Sequence, residues 1–405
     1  MKPKALILCD ENDAAHLDMP RDSEHWSTSW LLIDYDKFDR SLPSIQKEIK
    51  HQGIDFIVFS RNDQVAKRIM IGPIIRKLRI GYTSFSGLDE IDRVSQMKDC
   101  FSAFMEGDKQ FSYENSPMEH GVPNETIKGT FTIVFDVEQV GCIRVGLPRI
   151  LKLLDRYGVK STFFLTNIMN HISPDLVPTL TTNLHEVGVH GKWHEYLSDS
   201  EPDIQSRYLA EAKEDMGCSI NGVNFLYRMN RHTVDALSQN HIDYFVAPMI
   251  NTYKFYQYPK ISTSPAFISS SNGDVLMIPI SVETYGKPWF TIKNMIDTAY
   301  SISQKQGKHI TILCHPFREG NARNIQTTER LIKYLVITKK MRPITLRELK
   351  DQAKIESTTD HIEFQDDFSV SGRISQRMTA MDIAGLLPEN AFLMWKFAKY
   401  PHAVW

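Results

Sequence analysis

Thr130-Phe131-Thr132-Ile133-Val134-Phe135-Asp136-Val137-Glu138 is the stretch that decides the fold. From Thr130 to Phe135 it is apolar, β-branched and aromatic, the pattern of a buried strand, and an acid-bearing cluster closes it. The arrangement recurs twice: Glu186 to Val189 leads into His190-Gly191-Lys192-Trp193-His194, and His309 to Leu313 leads into Cys314-His315-Pro316. In a parallel α/β barrel the C-terminal ends of the strands converge on one face, where active sites are built. Two carboxylates and three histidines delivered in this way suit a metal centre with an acid–base pair.

Outward from these strands, the chain from 130 to 352 reads as repeated strand–helix pairs, a length that suits a barrel or distorted barrel. Helices are expected at Pro148 to Tyr157, Leu176 to Glu186, Pro202 to Gly217, Ile292 to Gln306 and Thr327 to Lys339. Further strands are expected at Val159 to Leu165, Tyr244 to Ala247 and Val275 to Ile280, with Pro343-Ile344-Thr345-Leu346 closing the domain. Upstream, 107–129 is polar, carries Pro117 and Pro123, and is the expected linker. Beyond 352 an acidic stretch gives way to an aromatic-rich tail, expected to dock on the protein's own surface.

The first 106 residues alternate strands (Ala5 to Cys9, Trp30 to Ile33, Ile54 to Ser60, Ile80 to Thr83) with helices (Leu42 to His51, Val65 to Leu78, Ser95 to Met105), the order of a small flavodoxin- or receiver-like α/β domain. Asp10 and Glu11 follow the first strand as in a receiver pocket. The third strand instead ends in Phe59-Ser60-Arg61, with no aspartate to accept a phosphoryl group, and no G-x-G-x-x-G follows the first strand. A degenerate, non-signalling module is the expectation.

The 405 residues exceed one compact core. Hydrophobic content of 42% and charged content of 24% are ordinary for a soluble globular protein, and a net charge of −2 gives no reason to expect nucleic acid as a partner. Five scattered cysteines without CxxC pairing argue against a disulfide framework or thiolate zinc site and for a reducing compartment. The opening apolar run meets Asp10 too soon for a signal peptide, and no stretch approaches the roughly twenty apolar residues of a membrane span, so a cytoplasmic protein is expected.

With these clusters the chain resembles the polysaccharide deacetylases of the NodB homology domain (carbohydrate esterase family 4), over about 130–352. The resemblance implies a distorted (β/α) barrel of the NodB type and one divalent metal ion, zinc by expectation. It assigns Asp136 as catalytic base, and His190 and His194 as metal ligands. The family's usual Phe-Asp-Asp-Gly motif reads Phe135-Asp136-Val137-Glu138 here, so Glu138 is expected to reach the metal from one residue further on. The family's Arg-x-Pro-Tyr motif reads Tyr227-Arg228-Met229-Asn230, which keeps an arginine to orient Asp136. Leu313-Cys314-His315 matches the Leu-x-His motif and assigns His315 as general acid.

The implied activity is removal of an N-acetyl group from a carbohydrate or glycoconjugate, with a cytoplasmic sugar precursor as the expected substrate. Trp193, Tyr196, Tyr285 and Trp289 are candidate flat surfaces for a sugar ring. Two alternatives stand beside it: a metal-independent hydrolase of cyclic amides resembling allantoinases, which the altered first motif allows, and a glycan-binding relative without catalysis.

Overall fold

The computed structural model describes residues 4–9, 11–15, 27–32, 44–45, 47–49, 51–54, 56–60, 81–84, 118, 127–139, 141–192, 194, 197, 200–225, 229–247, 263–285, 287–305, 307–355 and 360–362. The helices expected at 65–78 and 95–105, nearly all of the linker and the aromatic tail fall outside them.

Strands β1 (Lys4–Cys9), β2 (Ser27–Leu32), β3 (Phe56–Phe59) and β4 (Gly81–Ser84) form a parallel sheet in the order β2-β1-β3-β4. Parallel neighbours require crossovers, and the apolar β1, buried from Ala5 to Cys9, takes a central place.

The larger sheet is built from β5 (Thr130–Val137), β6 (Thr162–Leu165), β7 (Glu186–Val189), β8 (Gly222–Val223), β9 (Tyr244–Ala247), β10 (Ala266–Ile268), β11 (Val275–Pro279), β12 (Val282–Glu283), β13 (His309–Cys314), β14 (Arg342–Pro343) and β15 (Asp360–Ile362). Its order is β12-β13-β5-β6-β7-β8-β9-β11-β10-β15, with β14 pairing the start of β5. Among the described residues only the β10–β11 pair is antiparallel.

Alternation along each strand sends its residues to two different cores. Phe131, Ile133, Phe135 and Val137 of β5 join Phe163, Val187, Val223, Phe245, Ile310 and Ile312 under the surrounding helices. Val134 of the same strand joins Phe164, Tyr244, Val246, Leu276, Ile278 and Leu313 in a second cluster. Leu313 and Ile278 lie many strands apart in the sheet order yet share that cluster, so the sheet is curled around it as a distorted barrel. Two aromatic rings fill this interior because glycines make room. A Cβ on Gly188 would stand 2.5 Å from the Phe164 ring, and one on Gly222 would stand 2.0 Å from that of Tyr244.

Several boundaries differ from the sequence reading. The helix after Leu176 stops at Thr182, and Glu186 is already strand. The segment 343–346 does not close the domain as a strand. After two residues of β14 the chain turns into a helix, Leu346–Ile355, which caps the barrel at the N-terminal ends of the strands. Thr345 and Glu348 form its capping box: the Thr345 N–H donates to Glu348 Oε2 (2.7 Å) and the Glu348 N–H to Thr345 Oγ1 (3.3 Å). Glu186 sits beneath this cap, accepting from Tyr244 Oη (2.7 Å), Thr162 Oγ1 (2.8 Å) and the Arg347 N–H (2.9 Å). Burial pushes its carboxyl pKa above the ordinary range, against those hydrogen bonds. Downstream of 352, β15 pairs in parallel with β10.

Candidate active site

The other end of the barrel holds the polar clusters. Asp136 is the penultimate residue of β5 and Glu138 follows its last; His190, Asn224 and His315 each directly follow the last residue of β7, β8 and β13. By strand parity all five continue interior rows: Val134–Asp136–Glu138, Gly188–His190, Gly222–Asn224 and Leu313–His315. Parity also explains the altered first motif. Val137, the position next to Asp136, points to the opposite face and is fully buried in the outer core. The second acid therefore appears two residues after the first, where its side chain shares the inner face.

Glu138, His190 and His194 each present a ligand atom, and all three atoms lie within 4.8 Å of one another. Glu138 Oε2 stands 2.6 Å from His194 Nε2 and 3.6 Å from His190 Nε2. The same His190 Nε2 lies 3.7 Å from Asp136 Oδ2, and His315 Nε2 approaches that oxygen to 3.9 Å from the other side. His190 Nδ1 is hydrogen-bonded to the Asn224 carbonyl, which can only accept, so Nδ1 carries the proton and Nε2 faces the carboxylates. Nε2 is buried and has no hydrogen-bond partner. One carboxylate and two imidazoles with such an orphaned nitrogen are the donor set of a catalytic zinc-type centre, and the residues fit a divalent cation.

The electrostatics point the same way. Burial disfavours the imidazolium of His190, yet the Asp136 and Glu138 carboxylates more than reverse this and bring its pKa up to about 9. Burial also opposes charge on Glu138, but His194 and His190 hold its pKa well below the ordinary range. Asp136, only 4% exposed, is raised chiefly by burial, against the opposing pull of His190 and His315 and the amide of Asn224. The Asp136 and Glu138 carboxylates thus favour positive charge at the point that the ligand atoms surround.

Neighbouring elements fix the loops that carry these groups. The backbone carbonyls of Gly191 and Lys192 accept from the Asn167 and Ile168 N–H groups at the start of the helix Asn167–Ile172. Lys192, inside the histidine motif, is turned away from the carboxylates, with its ammonium 2.5 Å from Glu211 Oε2 and its N–H bonded to the Tyr208 hydroxyl. His194 has φ of 65°, the left-handed conformation that costs a non-glycine residue about 1 kcal/mol or more, and this turn brings its ring to Glu138. On the His315 side, buried Glu319 accepts from the His315 N–H (2.7 Å) and the Thr284 hydroxyl (2.8 Å). The π-helical turn Cys142–Gly146 lies against the Pro316 peptide so closely that a Cβ on Gly146 would stand 1.8 Å from its carbonyl oxygen.

The structure thus brings together Asp136, Glu138, His190, His194 and His315. Arg228, Trp193 and Tyr196 lie outside the described residues. Trp289 packs edge-on against Tyr334 and onto the outer core. Tyr285 does lie at the site, its ring 5.1 Å from that of His315. Sequence reading missed Asn224, whose Nδ2 donates to Asp136 Oδ1 at 2.7 Å, the position in which the resemblance had placed an arginine. Its signal was Gly222-Val223-Asn224, a strand too short to stand out. Glu319 was missed as well.

Comparison with known proteins gives a consistent result. Residues 124–248 match the model of the polysaccharide deacetylase family, a span that includes both acids and both histidines of the ligand cluster. A candidate polysaccharide deacetylase from Mycobacterium smegmatis is similar in structure at TM-score 0.51 and 18% identity, covering 62% of this chain and 99% of that one. A second candidate polysaccharide deacetylase, from Pseudomonas aeruginosa PAO1, aligns at TM-score 0.48 and 16% identity over 59% of this chain and 93% of that one. An allantoinase aligns at TM-score 0.48 and 16% identity, covering 62% and 97% of the two chains. No curated protein gives a significant match. No helix among the described residues is long and apolar enough to cross a membrane. The segment that carries Asp136, Glu138, His190 and His194 is the part of the chain that is similar to the polysaccharide deacetylase family.

Proposed function

We propose that this protein is a metal-dependent hydrolase that removes the N-acetyl group from a carbohydrate or glycoconjugate. The observation that carries the reading is the approach of Glu138, His190 and His194 ligand atoms to within 4.8 Å, with Asp136 and His315 flanking the same point. Glu138, His190 and His194 would hold one divalent cation, zinc by the chemistry of the donor set. When bound, the cation supplies Lewis acidity that acidifies a water and polarises the acyl oxygen.

The chain's own groups then divide the proton work. Asp136 accepts a proton from the attacking water, and Asn224 fixes the carboxylate plane for that task. His315, held through its backbone by Glu319, delivers a proton to the departing amine nitrogen. Water adds to the acyl carbon, the C–N bond breaks, and the products are acetate and a free amino sugar. Arg228 keeps the role of a further partner for Asp136. The N-terminal parallel sheet is proposed as the flavodoxin- or receiver-like module.

Metal analysis combined with acetate release from N-acetylglucosamine and its oligomers tests the reading. One divalent ion per chain, activity lost on chelation and restored by zinc, and a His315→Ala variant that keeps its metal but releases no acetate are the expected results. Turnover of a cyclic amide without any bound metal would overturn it.

A further inference from the structure

Arg318 lies three residues after His315, half-buried, with its guanidinium centred 5.1 Å over the Tyr285 ring. Tyr285 in turn meets His315 edge-on, with ring centroids 5.1 Å apart. Among the described residues Arg318 has no carboxylate within ion-pair distance. Glu319 next to it is committed inward to the His315 N–H and Thr284, and Glu283 forms no ion pair with it. A guanidinium stacked on an aromatic face uses its π surface and leaves its N–H donors free in the plane, in a fork that matches phosphate or carboxylate oxygens. Lys287, on the loop that carries Tyr285, sets its ammonium 3.5 Å from the Tyr285 carbonyl and adds a second positive charge nearby.

We infer that Arg318 stacked on Tyr285 is an anion-recognising shelf beside the general acid. The substrate it selects is an N-acylated sugar with a phosphate or carboxylate carried on a ring carbon next to the one that bears the amide. This rests on the deacetylase reading above. One cation–π contact and one edge-on ring contact, each 5.1 Å between centres, separate guanidinium and imidazole, so a sugar ring whose amide nitrogen faces His315 places a neighbouring anionic substituent within the fork's reach. A half-buried charge-assisted pair of this kind gives about 10- to 100-fold discrimination over a neutral analogue.

The test compares kcat/KM for acetate release by the zinc-loaded full chain on N-acetylglucosamine 1-phosphate, N-acetylmuramic acid and neutral N-acetylglucosamine. The expected result is a charged-to-neutral ratio of about 10 or more that collapses toward one in Arg318→Gln and is partly retained in Arg318→Lys. The better of the two charged sugars identifies the anion as phosphate or carboxylate. In parallel, calorimetry measures the non-hydrolysable products glucosamine 1-phosphate and glucosamine. Tighter binding of the phosphorylated product, lost in Arg318→Gln, supports the shelf independently of turnover. Acetate release with no preference for charge and no effect of Arg318→Gln on the ratio overturns the shelf and leaves the deacetylase. Arg318-dependent binding of the phosphate without acetate release from any sugar does the reverse.

Discussion

Replacing Asn224 by alanine isolates one hydrogen bond at the centre of the proposed chemistry. The amide donates to Asp136 Oδ1 at 2.7 Å, while the backbone carbonyl of the same residue holds His190. The substitution therefore deletes the donor to the base and spares the support of the ligand. A buried hydrogen bond to a charged acceptor contributes about 1.5–3 kcal/mol, and about 1.4 kcal/mol corresponds to one pKa unit. The bond favours the carboxylate form, so its loss raises the Asp136 pKa further in the direction that burial already drives it. The acid limb of the kcat/KM profile then moves up by about one to two pH units. On that limb activity falls by about 10- to 100-fold at a given pH, and it returns as pH rises. Acetate release between pH 5 and pH 9 measures this, with zinc content determined on the same samples. An unshifted acid limb at full zinc occupancy refutes the role given to Asn224; loss of the zinc refutes the division between its side chain and its backbone.

Three other outcomes follow from the geometry. Glu138→Gln and His194→Ala each remove a donor from the ligand cluster and reduce zinc retention on dialysis by about 10-fold or more, read by elemental analysis; full retention in both counts against the site. Gly222→Ala forces a Cβ to within 2.0 Å of the Tyr244 ring and lowers stability by about 1–3 kcal/mol, visible as a reduced urea midpoint; an unchanged midpoint means that the interior is looser than described. His185 and His309 are buried and neutral, with burial pushing each pKa down to about 3 from an ordinary 6.5. The unfolded chain takes up these protons first, so their contribution is complete above about pH 6.5 and is lost as pH falls toward about 3, at about 1.4 kcal/mol per pH unit for each histidine. A His185→Asn, His309→Gln double variant should show a shallower loss of stability between pH 6.5 and pH 4.5 in urea titrations; a slope equal to that of the unsubstituted protein rules this out.

Much of the site was legible because its signals are local. Thr130 to Phe135 is apolar on both faces, as a strand covered on both sides must be, and the acids and histidines stand where such strands end. The two-residue step from Asp136 to Glu138 was also readable once strand parity is applied, since Val137 belongs to the other face. What escaped depends on tertiary contact. β8 is two residues long, one of them the Gly222 that makes room for Tyr244, and nothing in its neighbours announces a strand that delivers Asn224. Pro343-Ile344-Thr345-Leu346 looks like a strand by composition, yet Ile344 and Leu346 serve the interior as the entrance to a helix. The Thr345-x-x-Glu348 capping box was the local signal for that helix, and the β-branched run before it masked it. Glu319 has no sequence signature, because its role exists only once Thr284 and the turn after His315 are adjacent.

The helix Leu346–Ile355 has a consequence for how the molecule is made. Its first N–H groups meet Thr162 and Glu186, residues synthesised long before it, so during translation the floor of the barrel stands open until the ribosome has released this late segment. Without it the Tyr244 and Glu186 pair lacks the Arg347 N–H donor, and the interior rows lose the cover of Leu346 and Leu349. Sealing is therefore a late event, and a nascent chain stopped before this helix presents sticky interior surface to whatever chaperone meets it.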